Sequence, residues 1–318
     1  MSLSIAPLFT DVCAGPPSGA AFWVHTEDGL RLRFGAWNRE GTNKGTILVF
    51  PGRTEYVEKY GPAACEFAAR GYATVAIDWR GQGLADRMLD DPRIGHVGDF
   101  EDYQKDVAAI MDALDQLDLP KPYFMVGHSM GGCIGLRALY NGLDVAACAF
   151  TAPMWGIRIS PFLRPLAWAL GHSMPVMGQD HRIAPTTFPE PYVHIAPFED
   201  NKLTTDPDTY TRLQDQLTAH PGLALGGPSF AWLRKALFET QDLAKLPAPN
   251  LTCATFLGTN ERIVHVQRIE DRMAGWENGT LVMVENGEHE VLMETPQMRA
   301  SVFDGIAKTF RSVTTPAA

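Results

Sequence analysis

Between Phe124 and Leu136 the chain reads FMVGHSMGGCIGL, with Ser129 between Gly127 and Gly131 where an apolar run gives way to a helical pattern. A G-x-S-x-G in that context suits a nucleophile raised on a sharp strand-to-helix turn. Side chains at 127 and 131 would collide with neighbouring backbone, and the helix opening at Met130 points its positive end at the hydroxyl. The chemistry this permits is acyl transfer through a covalent intermediate, which requires a base, an acid to orient the base, and donors for a developing oxyanion. His289, in "ENGEHEVLME" just beyond the last predicted strand, is the candidate base. Most of the other histidines read as surface or satisfied core residues.

The acid should follow a strand lying between the serine and the histidine. No Asp or Glu occurs from Val145 to Gln179, so the strand ending near Ala152 cannot supply it. The next strand ends in "FLGTNERIV", and Glu261 is assigned the role of holding the imidazole tautomer. The bland alternative is an exposed glutamate capping the following helix, and Asp271 is the fallback acid. The oxyanion donors are expected to be the backbone amides of Met130 and of Arg53, the latter in "VFPGRTEY" after an early strand. The side chains of Arg53 and Glu55 read as an ordinary surface pair. Asp78 and Arg80, in "DWRGQG", read as braces for a loop.

Positioning these groups requires a particular scaffold. Residues 20–26 and 30–37 alternate in polarity around "EDG" and predict a hairpin. The short continuous apolar runs at 46–50, 72–79, 122–127, 145–152, 251–258 and 280–285 predict strands buried on both faces of a parallel sheet. Helical spacing falls between them, at 56–70, 100–117, 130–140, near 266–273 and at 297–310. Alternation of this kind specifies an α/β fold, a mostly parallel, doubly wound sheet. The pattern breaks from Pro153 to about Pro228, where prolines are scattered among Trp, Phe, Leu and Met. That stretch predicts an inserted cap at 155–235, with the core formed by 1–154 and 236–318.

The chain has 318 residues with 45% hydrophobic and 20% charged side chains, a composition that supports a packed core and excludes wholesale disorder. Its formal charge of −10 disfavours nucleic-acid binding. The five cysteines are scattered, with no C-x-x-C pair, and read as free buried thiols rather than a zinc site or disulfide framework. The first thirty residues contain no Lys or Arg and lack the pattern of a secretory signal. The expected location is a reducing cytoplasm, with peripheral contact at a membrane surface through the cap as an option.

Several separated segments together resemble the α/β-hydrolase superfamily, and within it the bacterial lysophospholipases and their monoacylglycerol lipase relatives, of the serine aminopeptidase S33 type. They are PGRTEYVEKY (51–60), DWRGQGLADR (78–87), GHSMGG (127–132), FEDNKLTTD (198–206), LALGGPSFAWL (223–233), LGTNERIV (257–264) and GEHEVLME (287–294). The resemblance implies Ser129 as nucleophile, His289 as base, Arg53 and Met130 as amide donors, a lid between two core strands, and no need for a metal or organic cofactor. Two positions depart from the family pattern: Glu261 stands where Asp is usual, and Pro51 where many relatives have His. The implied activity is hydrolysis of an ester of a monoacyl lipid. The alternatives are a carboxylesterase, thioesterase or lactonase for small soluble substrates, and a binding module that retains the fold without catalysis. The Phe-, Leu- and Trp-rich segment at 161–170 reads either as an acyl-chain wall or lipid-contacting surface, or as simple packing of cap onto core. Oligomeric state is not legible.

Overall fold

The computed structural model describes residues 3–41, 44–158 and 173–314; the segment at 161–170 lies outside the described residues. Among the described residues nine strands form one sheet: β1 (Ser4–Ala6), β2 (Ala20–His25), β3 (Arg31–Trp37), β4 (Thr46–Phe50), β5 (Ala73–Asp78), β6 (Tyr123–His128), β7 (Ala147–Thr151), β8 (Cys253–Gly258) and β9 (Gly279–Val284). Their spatial order is β1-β2-β3-β5-β4-β6-β7-β8-β9. The first three are antiparallel, β3 joins β5 antiparallel, and from β5 to β9 every pairing is parallel.

The unbroken apolar runs follow from burial on both faces. Along β4, Ile47 and Val49 enter one core while Leu48 and Phe50 enter the other; Phe124 and Val126 oppose Tyr123 and Met125 in the same way along β6. Strand side chains alternate between faces, so a strand covered on both sides has no polar position to spare. One face is covered by α2 (Gly61–Ala69) and the terminal α9 (Pro296–Thr314), through Phe67, Phe303 and Phe310. The other is covered by α3 (Asp102–Leu114), α4 (Met130–Tyr140), α7 (Phe230–Leu243) and α8 (Val266–Ala274).

The hairpin and the sheet strands stand where the sequence predicts them, with ends shifted by a residue or two. The helix expected over 56–70 is divided: Val57–Tyr60 is a 3₁₀ turn, and the α-helix starts afresh with Pro62 in its first turn, where its missing N–H costs nothing. Gly71 ends it at φ 89°. The short β1 at the sheet edge and the four-residue α1 (Thr10–Cys13) were not anticipated.

Between β7 and β8 the chain leaves the sheet. This excursion contains α5 (Tyr192–Ile195), α6 (Pro207–Ala219) and α7. Asp206 caps α6 by accepting from the Asp208 amide, and Ser229 caps α7 by accepting from Trp232. Val193, Tyr210, Leu213, Leu217 and Leu223 form a separate small core with Tyr56. Residue 235 falls inside α7, whose Trp232, Ala236 and Leu243 pack into the main core.

The parallel strands set the site. Arg53, Ser129, Glu261 and His289 all follow carboxyl ends of strands, β4, β6, β8 and β9 respectively. That edge is where open α/β sheets gather their functional loops.

Candidate active site

Ser129 sits between β6 and α4 at φ 48°, ψ −117°. A non-glycine residue held at positive φ costs about 1–3 kcal/mol and persists only when its surroundings over-determine it. Here Ser129 N–H donates to Thr151 O at 3.1 Å, and Ser129 O accepts from Gly132 N at 2.9 Å and Met154 N at 2.8 Å. The flanking glycines are required by contact. A Cβ at 131 would lie 1.9 Å from Phe50 O, and one at 127 would lie 2.9 Å from Gly132 Cα. The turn is therefore pressed against the backbone that leaves β4.

His289 and Glu261 are brought together by their loops. Thr259 N–H donates to Val284 O and Asn260 N–H to Gly287 O, so the chain leaving β8 lies along the chain leaving β9. His289 Nδ1 is 2.7 Å from Glu261 Oε2. A carboxylate can only accept, so Nδ1 carries the proton and Nε2 of the neutral ring is left as the acceptor. Glu261 Oε1 accepts from Ile263 N at 2.5 Å and Val264 N at 3.0 Å. Burial pushes the Glu261 pKa up, but His289 and these two amides outweigh it and hold it below the ordinary value. Glu261 is buried rather than an exposed cap. Asp271, exposed on α8, is engaged by Gln267 and does not contact His289. Ser129 and His289 line the same cavity, and no hydrogen bond joins them in this structure.

The amides of Arg53 and Met130 make no hydrogen bond to the described residues. Met130 opens α4, where no intrahelical acceptor exists. The Arg53 amide is aimed by its neighbours. Gln82 Nε2 donates to Gly52 O at 3.0 Å, Gln82 Oε1 accepts from Thr54 N at 3.2 Å, and Trp79 Nε1 donates to Pro51 O at 2.9 Å. In a trans peptide the C=O of residue 52 and the N–H of residue 53 point in opposite directions. Gln82 holds that carbonyl on one side, so the Arg53 N–H projects to the other.

Beneath the site lies a buried charge network that sequence reasoning missed. Lys59 Nζ is 2.6 Å from both Glu55 Oε1 and Glu290 Oε1. Tyr60 Oη donates to Glu55 Oε2 at 2.5 Å, and the Gly52 amide donates to the same oxygen. His128 Nδ1 lies 3.0 Å from Thr151 O, which can only accept. Its Nε2 lies 3.2 Å from Glu290 Oε2 and 3.5 Å from Glu55 Oε1, at ion-pair range without hydrogen-bond alignment. Nδ1 also lies 3.0 Å from the Thr151 hydroxyl, while Nε2 faces two carboxylates, which favour the protonated ring. Burial opposes that charge, but Glu290 and Glu55 outweigh it and raise the His128 pKa. Likewise burial pushes Glu290 up, while Lys59 and His128 drive it well below the ordinary range. Glu55, Lys59, His128 and Glu290 thus form a buried quartet that ties the Arg53 loop, the serine turn and the histidine loop together. The His128 and His289 ring centroids are 4.9 Å apart.

The family described as serine aminopeptidase, S33, matches the chain over residues 41–296. The chain belongs to that family. Among similar proteins, lysophospholipase L2 of Escherichia coli K12 is 29% identical over 302 residues, covering 91% of this chain and 86% of its own length. A monoacylglycerol lipase of Mycolicibacterium smegmatis is 25% identical, covering 85% of this chain and 89% of its own. The crystal structure of a soluble variant of Saccharomyces cerevisiae monoglyceride lipase, bound to a substrate analogue, superposes with a TM-score of 0.71 at 18% identity, over 92% and 95% of the two chains. The fold is that of the α/β-hydrolases.

In this S33-family hydrolase the site opens into a cavity of about 510 Å³, walled by apolar side chains including Met154, Ile157, Leu203, Leu213 and Leu217. Among the described residues, one buried cluster has metal-type ligands: Glu55, His128 and Glu290. Lys59 Nζ already occupies the cation's place between its carboxylates. One sequence reading needs correction. Glu55 is buried in the quartet and does not pair with Arg53, whose Nη1 donates to Gly226 O at 2.7 Å. The Glu55–Lys59 spacing of four residues was a legible sign of pairing, but its burial and its link to Glu290 were not. Asp78 and Arg80 are braces as expected: Asp78 accepts from Arg33 Nε, Val57 N and Leu84 N, and Arg80 pairs with Asp106 and Asp28.

Proposed function

We propose that this carboxylic ester hydrolase cleaves monoacyl lipids, a lysophospholipid or a monoacylglycerol, with Ser129 as nucleophile, His289 as base and Glu261 as orienting acid. The observation that carries the reading is the His289 Nδ1–Glu261 Oε2 bond of 2.7 Å beside a serine held at positive φ on the same cavity wall. His289 Nε2 takes the Ser129 proton as Oγ attacks the ester carbonyl. The oxyanion is received by the Arg53 and Met130 amides, each donor of this kind being worth about 3 kcal/mol. The alcohol leaves with the proton from His289, and water repeats the sequence on the acyl-enzyme.

The apolar wall supports an acyl chain as the acid portion of the substrate. The named relatives, a lysophospholipase and a monoacylglycerol lipase, support the same class. We assign the cap role to residues 155–235. Val176, Met177, Phe188, Tyr192 and Ile195 in this stretch are exposed, which supports contact of the cap with a lipid surface. No helix among the described residues is long and apolar enough to cross a membrane. The test is hydrolysis of p-nitrophenyl esters of rising chain length, followed by monoacyl lipids. Rates should rise toward medium and long chains; a sharp optimum at acetate overturns the lipid assignment.

A further inference from the structure

The cavity holding Ser129 and His289 is unbalanced in charge. Its cationic side chains besides the histidines are Arg53, Lys59, Arg158 and Arg234, and its carboxylates are Glu55 and Glu290. Both carboxylates are committed to Lys59 and His128. Arg53, Arg158 and Arg234 form no ion pair with a described residue. Residues 159–172 contain no Asp or Glu, so they supply no counterion wherever they lie. A protein with a net charge of −10 turns a positive wall toward its reacting serine.

Arg53 is the most constrained of the three. Its Nη1 donates to Gly226 O at 2.7 Å, and its Cζ stands 5.5 Å from the centroid of the Trp232 ring. These contacts fix the guanidinium, while Nε and Nη2 make no hydrogen bond to the described residues and are not among the buried unpartnered atoms. Burial without a facing carboxylate pushes the Arg53 pKa down to about 10, which still leaves it cationic at neutral pH. A partly desolvated guanidinium with unused donors gains when an anion arrives, and its fork matches phosphate oxygens two at a time.

The geometry points to a double role for this one residue. In a monoacyl glycerophospholipid the phosphate is joined to the ester by the glycerol unit, so an ester oxygen at the Arg53 amide brings the phosphate within range of the Arg53 side chain. We propose that the Arg53 guanidinium holds the headgroup phosphate of a lysophospholipid, selecting phosphorylated headgroups over the neutral glycerol of a monoacylglycerol. This rests on the ester-hydrolase reading above. Arg158 and Arg234 strengthen the positive potential of the same wall.

The test compares kcat/KM for lysophosphatidylglycerol and for 1-monoacylglycerol of the same short acyl chain, both below their micellar range, in wild type, Arg53→Gln and Arg53→Lys. Wild type should favour the phosphorylated lipid. In Arg53→Gln the ratio of the two kcat/KM values should fall roughly 10- to 150-fold, mainly through KM, the range for hydrogen bonds to a charged group. Arg53→Lys should fall less. Taking the ratio cancels any general loss from disturbing the loop. A ratio unchanged in both variants, or a wild type that prefers the neutral lipid, overturns the assignment. Should Arg53→Gln be too slow to assay, competition on the wild type decides. Glycerol 3-phosphate should inhibit p-nitrophenyl ester hydrolysis where glycerol at the same concentration does not; equal inhibition by the two overturns the proposal. A wild type that hydrolyses neither lipid nor any p-nitrophenyl ester overturns the underlying ester-hydrolase reading.

Discussion

Changing Glu261 to Gln should stop catalysis by imposing the wrong histidine tautomer. Glu261 Oε1 receives two backbone donors, Ile263 N and Val264 N, while Oε2 receives His289 Nδ1. Glutamine offers one acceptor and one donor end. Its NH₂ cannot face two N–H groups, so the amide oxygen stays with Ile263 and Val264 and the NH₂ is delivered to Nδ1. Nδ1 must then accept, and the proton moves to Nε2, the atom that has to receive the serine proton. An acid-to-amide change with this outcome costs about 10⁴-fold in kcat, or roughly 5 kcal/mol of transition-state stabilisation. The assay is steady-state hydrolysis of a p-nitrophenyl ester, with a single cooperative thermal transition confirming the fold. Glu261→Asp keeps the carboxylate and should retain intermediate activity. A Glu261→Gln enzyme within about tenfold of wild type, or an equal loss in Asp271→Asn, refutes the reasoning.

Two further outcomes follow from the loops around the serine. Gln82→Leu frees the Gly52 carbonyl that Gln82 holds; kcat for a p-nitrophenyl ester should fall about 10- to 100-fold with KM little changed, since an oxyanion donor acts on the transition state. Glu290→Gln leaves Lys59 and His128 sharing one carboxylate, and urea unfolding at pH 7 should show a loss of about 3–5 kcal/mol, the cost of breaking a buried ion pair. The pH dependence of stability carries the same signature. Glu290 is depressed from its ordinary 4.5, so its contribution is present above that value and lost as pH falls through the lower folded pKa. His128 is raised from 6.5, so its contribution is complete below 6.5 and lost as pH rises through the higher folded pKa. The urea midpoint of wild type should therefore decline on both flanks, and the acid-side decline should shrink in Glu290→Gln.

Much of this was legible because each strand covered on both faces announces itself as an apolar run, and because the tight serine turn admits so few residues at 127 and 131. The contact of Glu261 with His289 could be anticipated by position alone: Glu261 follows the strand between serine and histidine, and the strand before that is followed by no acid. The quartet was not legible, since Glu55, Lys59, His128 and Glu290 come from three separate stretches of the chain and only the folded sheet edge brings them together. Gln82 escaped for a related reason: its work is done through the Gly52 peptide, and nothing in "DWRGQG" distinguishes a glutamine that orients a distant amide from one that faces solvent. The helix ends moved where local chemistry intervened, as at Pro62, which restarts α2 after a 3₁₀ turn.

The central claim is that His289 activates the Ser129 hydroxyl, although the two are not hydrogen-bonded in this structure; such contacts commonly tighten only once substrate is bound. Labelling with a fluorophosphonate probe, read by peptide mass spectrometry and by rate, addresses it directly. The expected result is a single adduct on Ser129, absent in Ser129→Ala and formed far more slowly in His289→Gln. An adduct on another residue, or a labelling rate in His289→Gln equal to that of wild type, contradicts the account.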